Sequence, residues 1–202
     1  MTDKQGRYNS GLTREPFLFR EMRITASLLC EGLSDEDAES HIVSDNLYQY
    51  PTTHTLSRNA RACIRRLRGM QDDSLIRYIH EAPAREARQT VLYALMCDSR
   101  LVREWMIGVI GEKYRLGDYH FAVSDLRDFL MHVQEQDDSA ARWSLLTVKK
   151  LRQVLLRLLV DNEYLDTRNS TVLQPVRLSP VLGCAIRESG RTPYLAAFYQ
   201  FD

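Results

Sequence analysis

Thr53–Arg68 reads THTLSRNARACIRRLR, with Arg58, Arg61, Arg65, Arg66 and Arg68 and not one carboxylate. The stretch just before it is its opposite. Ser34–Asp45 carries Asp35, Glu36, Asp37, Glu39 and Asp45 and neither Lys nor Arg. Charge is therefore sorted along a chain whose formal net charge is zero. If Thr53–Arg68 is a helix, Arg58, Arg61, Arg65 and Arg68 recur at steps of three and four and share one face. Leu56, Ala60, Cys63, Ile64 and Leu67 then form the opposite, apolar face. An acidic helix, a short turn and a helix with an arginine front have the layout of a helix-turn-helix reader of nucleic acid.

Outward from that stretch, helical periodicity dominates. Phe17–Cys30 reads as a first helix, with Pro16 near its start and Gly32 as its stop. Ser34 caps the acidic helix, and Asp35, Glu36 and Asp37 occupy its positive first turn. Pro51 breaks the chain, and either Thr53 or Ser57 caps the arginine helix. The middle predicts helices from Asp73 to Glu81, Ala84 to Ser99, Leu101 to Glu112 and Phe121 to Val133. Gln134–Ser139 is a polar break.

In the C-terminal third, Ser144-Leu-Leu-Thr147 leads into a long helix ending near Val160, with Val148, Leu151, Leu155, Leu158 and Leu159 as its core stripe. Lys149, Lys150, Arg152 and Arg157 carry its charge, and no carboxylate occurs from Ser139 through Val160. Lysines near a helix start oppose the helix dipole, a cost that an external anion would offset. The period then changes. Tyr164–Asp166 and Val172–Arg177 alternate like two strands joined by the turn Thr167–Ser170. A helix, a basic helix and a hairpin form the order of a winged helix, which places Arg168 at the wing tip. Ser179-Pro180 starts a last helix to about Ser189. The apolar end Tyr194–Phe201 is expected to be a strand or short helix packed on this unit, with a docking strip for a partner as the alternative.

The expected fold is mainly α. It has a helix-turn-helix-like N-terminal unit (1–70), a helical middle (71–138) and a C-terminal winged helix-turn-helix with a small β-hairpin wing (139–202), as three units or one continuous fold. At 202 residues, with 44% apolar and 27% charged residues, the chain can bury a sizeable core. No stretch approaches the roughly 20 apolar residues of a membrane span. Met1–Ser10 is polar and lacks the core of a secretory signal, so the expected location is cytoplasmic. Cys30, Cys63, Cys97 and Cys184 form no CxxC pair, and each is expected to be reduced and buried. The five histidines show no ligand spacing, and no phosphate-loop, dinucleotide or nucleophile-elbow motif occurs. The expectation is therefore no enzyme, no metal and no cofactor. Arg outnumbers Lys 23 to 4. That excess suits bidentate contact with phosphate or guanine, and a GC-rich genome would produce it as well.

The Arg helix Thr53–Leu67, the Trp143-Ser144…Thr147-x-Lys149-Lys150 start, the Leu-rich helix to Val160 and Tyr164-Leu165 together resemble the BrxA family of bacterial BREX phage-defence systems. The resemblance covers most of the chain. It implies a non-enzymatic, helical DNA-binding protein of winged helix-turn-helix character, acting beside other BREX-system proteins. It carries over no functional residues.

The DNA-binding candidates therefore rest on charge and spacing: Arg58, Arg61, Arg65, Arg68, Lys149, Lys150, Arg152 and Arg168. The expected ligand is double-stranded DNA, bound with low sequence specificity. With zero net charge, a dimer or a partner would add affinity. The alternatives are a helical RNA binder of antitermination type and a protein adaptor whose basic faces meet acidic partners. The bland reading of the first four arginines is a solvated face paired with the acidic helix beside it.

Overall fold

The computed structural model describes residues 7–201; residues 1–6 of the polar N-terminal stretch, and Asp202, lie outside the described residues. Helix is the dominant structure, as expected. The α-helices are α1 (Phe19–Cys30), α2 (Asp35–Ser44), α3 (Thr53–Gly69), α4 (Asp73–Glu81), α5 (Ala84–Asp98), α6 (Arg100–Glu104), α7 (Glu112–Arg115), α8 (Val123–Gln136), α9 (Asp138–Ala141), α10 (Leu145–Asp161) and α11 (Pro180–Glu188). A π-helical stretch, Trp105–Gly111, joins α6 to α7. Short 3-10 turns occupy Gly11–Thr13 and Thr192–Phe198.

The chain forms two compact units, Phe17–Asp98 and Ser99 onward with the segment before Phe17. In the first, α3 packs on α1, α2 and α5, and α4 packs on α1 and α5. Two helices assigned by sequence to a separate middle thus share a core with the arginine helix. That core includes Met22, Ala26, Ile42, Ala60, Cys63, Leu67, Ile79 and Leu92, all fully buried. Each large apolar side chain withdrawn this way contributes about 1.5–3 kcal/mol.

Caps set the helix starts. Ser34 accepts from the Asp37 amide at 3.0 Å, as its position predicts. The arginine helix is capped by neither Thr53 nor Ser57 but by Thr52, whose hydroxyl accepts from the Thr55 amide. Asp72 caps α4, accepting from the Ser74 and Leu75 amides, in place of the Asp73 cap that the helix start suggests. Helix α1 begins at Phe19 rather than Phe17, because Leu18 is left-handed with φ 54°. That turn buries both Phe17 and Leu18. After α1, Gly32 at φ 92° lets the Leu33 amide reach back to the Leu28 carbonyl.

In the second unit, α8 packs on α9 and α10, and the Gly11–Thr13 turn packs on α10. Tyr8 anchors the N-terminal segment: its hydroxyl donates to Glu104, and Arg100 lies 4.2 Å from its ring centre. Burial and the Glu104 bond push the Tyr8 hydroxyl up to about 12. Trp105, in the π stretch, packs on Phe129 at 5.2 Å between ring centres. Gly111 allows close approach: a Cβ there would lie 3.0 Å from the backbone of Ala196.

The expected two-stranded wing is not present as strands. Among the described residues the only β pairing is an isolated antiparallel bridge between His120 and Val172. The Leu173 amide donates to the Tyr119 carbonyl at 2.8 Å, so the segment is tied to the approach to α8. The Gln174 amide donates to the Tyr164 carbonyl at 2.9 Å and its side-chain nitrogen to Asp166 at 3.4 Å, which makes no strand pair. Pro175 has no N–H to extend a ladder. Leu173 and Val176, three apart, are the residues buried, which is not a period of two. The apolar end resolves into the Thr192–Phe198 3-10 turn, which buries Leu195, Ala197 and Phe198 and packs on α11 and the π stretch.

Cys63 and Cys97 are buried, but Cys30 and Cys184 are exposed, contrary to the expectation of four buried thiols. Burial pushes the Cys63 thiol up to about 12. Titration of the native protein with an aromatic disulfide at pH 8 should therefore modify Cys30 and Cys184, with Cys63 and Cys97 following only on unfolding. Replacing Gly111 by Val should destabilise the protein by about 1–3 kcal/mol in denaturant unfolding. Gly108→Ala, with open space around it, should not.

Candidate nucleic-acid interface

The two groups of predicted cations meet different fates. On α3, Leu56, Ala60, Cys63, Ile64 and Leu67 are buried as the spacing requires, and Arg61, Arg65 and Arg68 face outward. Their charge is matched by nearby carboxylates. Arg61 Nε donates to Glu39 Oε1 at 2.9 Å. Arg65 grips Asp98 with two bonds of 2.7 and 3.0 Å. Arg68 meets Asp35 at 2.9 Å and Asp73 at 3.2 Å.

Arg61, Arg65 and Arg68 line a shallow cleft of about 310 Å³ with Asp35, Glu36, Glu39 and Ile64. Arg58, half-buried on the same helix, has no ion-pair or hydrogen-bond partner among the described residues. Arg66 turns inward; only 2% of it is exposed, and its Nε lies 3.5 Å from Asp98. The acidic α2 thus sits where the bland reading put it. Exposed pairs of this kind are worth about 0–1 kcal/mol each and mute the positive field without locking it.

On α10 the arrangement is different. Ser144 caps the helix, accepting from the Thr147 amide at 3.2 Å. Leu151, Leu155, Leu158 and Leu159 are buried. Lys149 and Lys150 are exposed and Arg152 is half-buried. None of the three has an ion-pair or hydrogen-bond partner among the described residues. Only Arg157, further along, is paired, with Asp161 at 3.3 Å.

Arg168 stands exposed on a tight turn in which the Thr167 amide donates to Ser170 Oγ at 2.9 Å. No hydrogen bond or ion pair among the described residues joins it to α10. The structure therefore groups the candidates as three charge-matched arginines with the unmatched Arg58 on α3, an unmatched set on α10 and a separate turn.

Two residues of this face were missed by the cation-based reading. Leu145 is 89% exposed and Leu146 79% exposed, at the first two positions of α10. The signal was partly present in the sequence: Leu146 falls out of phase with the stripe Val148, Leu151, Leu155, Leu158 and Leu159, and Leu145, three before Val148, lies at its edge. Among the described residues no cluster of His, Cys, Asp or Glu has the form of a metal site. No helix there is long and apolar enough to cross a membrane.

A family model, BrxA, matches residues 6–190. The chain is 32% identical over 165 residues to the BREX protein BrxA of Bacillus cereus (strain H3081.97), covering 82% of each chain. It is 26% identical over 176 residues to the BREX protein BrxA of Escherichia coli O9:H4 (strain HS), covering 87% of this chain and 82% of that one. A crystal structure of an uncharacterized protein from Magnetospirillum magneticum has the same fold, with a TM-score of 0.82 and 21% identity, over 96% of this chain and 100% of that one.

The shared carboxylate makes a prediction. Asp98→Asn removes the counter-charge of a buried guanidinium and should destabilise the protein by about 3–5 kcal/mol in urea unfolding. Glu39→Gln, facing the exposed Arg61, should cost under about 1 kcal/mol.

Proposed function

Because this chain belongs to the BrxA family, we propose that it serves a BREX phage-defence system as a non-enzymatic component that binds double-stranded DNA with low sequence specificity, beside other BREX proteins. The observation that carries this reading is the state of α10. Among the described residues, Lys149, Lys150 and Arg152 stand without hydrogen-bond or ion-pair partners, on a stretch, Ser139–Val160, that has no carboxylate. Unmatched cations aligned on one helix suit a row of phosphates, and release of condensed counterions supplies the affinity.

The order α8, α9, α10 and returning loop supports a winged helix-turn-helix reading. In it α8 braces α10, the short α9 packs on α8, α10 is the helix offered to the major groove, and Arg168 on the loop reaches a neighbouring phosphate. The wing works here as a loop, without a strand pair. The α2–turn–α3 pair is a second, weaker contact. There, duplex phosphates replace Glu39 and Asp35 as partners of Arg61 and Arg68, and Arg58 and Arg65 flank them.

Fluorescence anisotropy on labelled duplex DNA, duplex RNA and single strands, between about 50 and 200 mM salt, tests the proposal. Duplex DNA should bind with a steep salt slope. Lys149→Glu/Lys150→Glu should abolish most binding and lower the slope by roughly two, the counterions of two phosphate contacts. Arg61→Gln should have the smaller effect. Tighter binding to RNA, or duplex binding indifferent to the lysine reversal, would sink the reading.

A further inference from the structure

Leucines 89% and 79% exposed are costly neighbours for water, and their place on α10 gives them a use. Leu145 and Lys149 are four residues apart, as are Leu146 and Lys150, so each leucine lies on the same helical strip as an unpaired lysine. The strip changes from apolar to cationic in one turn, about 5.4 Å. Its ligand must offer an apolar spot and anionic groups at that spacing.

Two leucines are too small a patch for a protein interface, which buries about 800 Å² on each side. They do fit the major groove. Its floor lies about 8.5 Å deep between rows of phosphates, and the C5 methyl of thymine is the apolar group displayed there. A helix entering by its N-terminal end would carry Leu145 and Leu146 to the floor, with Lys149 and Lys150 one turn behind at the phosphates.

We propose that Leu145 and Leu146 are base-reading residues that contact thymine methyl groups, so that duplex binding favours thymine-bearing steps. This rests on the DNA-binding reading and adds to it a source of sequence preference that needs no hydrogen-bonding side chain.

The test uses two labelled duplexes of equal length and charge, alternating d(A-T) and alternating d(A-U), which differ in the C5 methyl alone. Anisotropy is measured with the full chain and with Leu145→Ser/Leu146→Ser. Both leucines are exposed, and circular dichroism should show the variant folded. Wild type should bind d(A-T) more tightly by about fourfold for each methyl reached, the transfer of one buried carbon. The serine variant should bind the two duplexes alike, with the wild-type affinity for d(A-U) and an unchanged salt slope.

Equal binding of both duplexes by wild type, with a steep salt slope, would overturn this inference and leave the DNA reading standing. Methyl discrimination that persists in the serine variant would also overturn it, by placing the reading elsewhere. A variant weakened equally on both duplexes would show the leucines touching sugar or stacked bases instead. Absence of binding to either duplex at low salt would take down the DNA reading itself. A wild-type dimer that becomes a monomer in the serine variant, with no change on either duplex, would assign the leucines to a second copy of the chain.

Discussion

Arg66 is a guanidinium almost wholly withdrawn from water, and such a group is tolerated only beside an opposite charge. Asp98, the last residue of α5, supplies it and at the same time grips Arg65. The pairing ties the C-terminal end of α5 to α3, the helix on which α1 and α2 also pack. The chain then leaves α5 at once, and the Ser99 side chain accepts from the Val102 amide to start α6. The end of one unit's last helix is thus fixed by a charge requirement inside that unit's core.

The protein uses arginine and lysine in two ways. On α3 the outward arginines have carboxylates at hydrogen-bonding distance, so a phosphate would have to compete with an existing partner at Arg61, Arg65 and Arg68. On α10 there is no competitor among the described residues for Lys149, Lys150 or Arg152. Spacing alone ranks the two helices equally, and the more conspicuous run of arginines is the one already neutralised. A phosphate arriving at α10 exchanges water for protein, while one arriving at α3 must also release a carboxylate to water.

Much of this was legible in the sequence. The phase of Leu56, Ala60, Cys63 and Leu67 fixed the buried face of α3, and the Ser34, Ser144 and Ser179 caps marked three helix starts. The proximity of α2 to α3 followed from a short connection, and with it the rival reading that α2 would neutralise the arginines. What was not legible came from tertiary packing. Arg66 reads as one more surface cation because its counter-charge, Asp98, lies 32 positions away in the sequence. The paired strands failed because Val172 finds its backbone partner at His120, and alternation over a few residues does not name a partner. Leu145 and Leu146 were read as the approach to a helix, although the phase of Leu146 set it outside the core.

The carboxylate-free stretch on a chain of zero net charge has a kinetic consequence. A neutral molecule feels no long-range pull from a polyanion, and a local patch is felt only within the screening distance, about 8 Å at physiological ionic strength. On the DNA-binding reading proposed above, encounter proceeds at the unsteered rate of roughly 10⁵–10⁶ M⁻¹s⁻¹, and the patch acts after arrival by turning the molecule into register. For the DNA contact proposed above, this means brief, local touches, with residence lengthened by neighbours bound to the same strand.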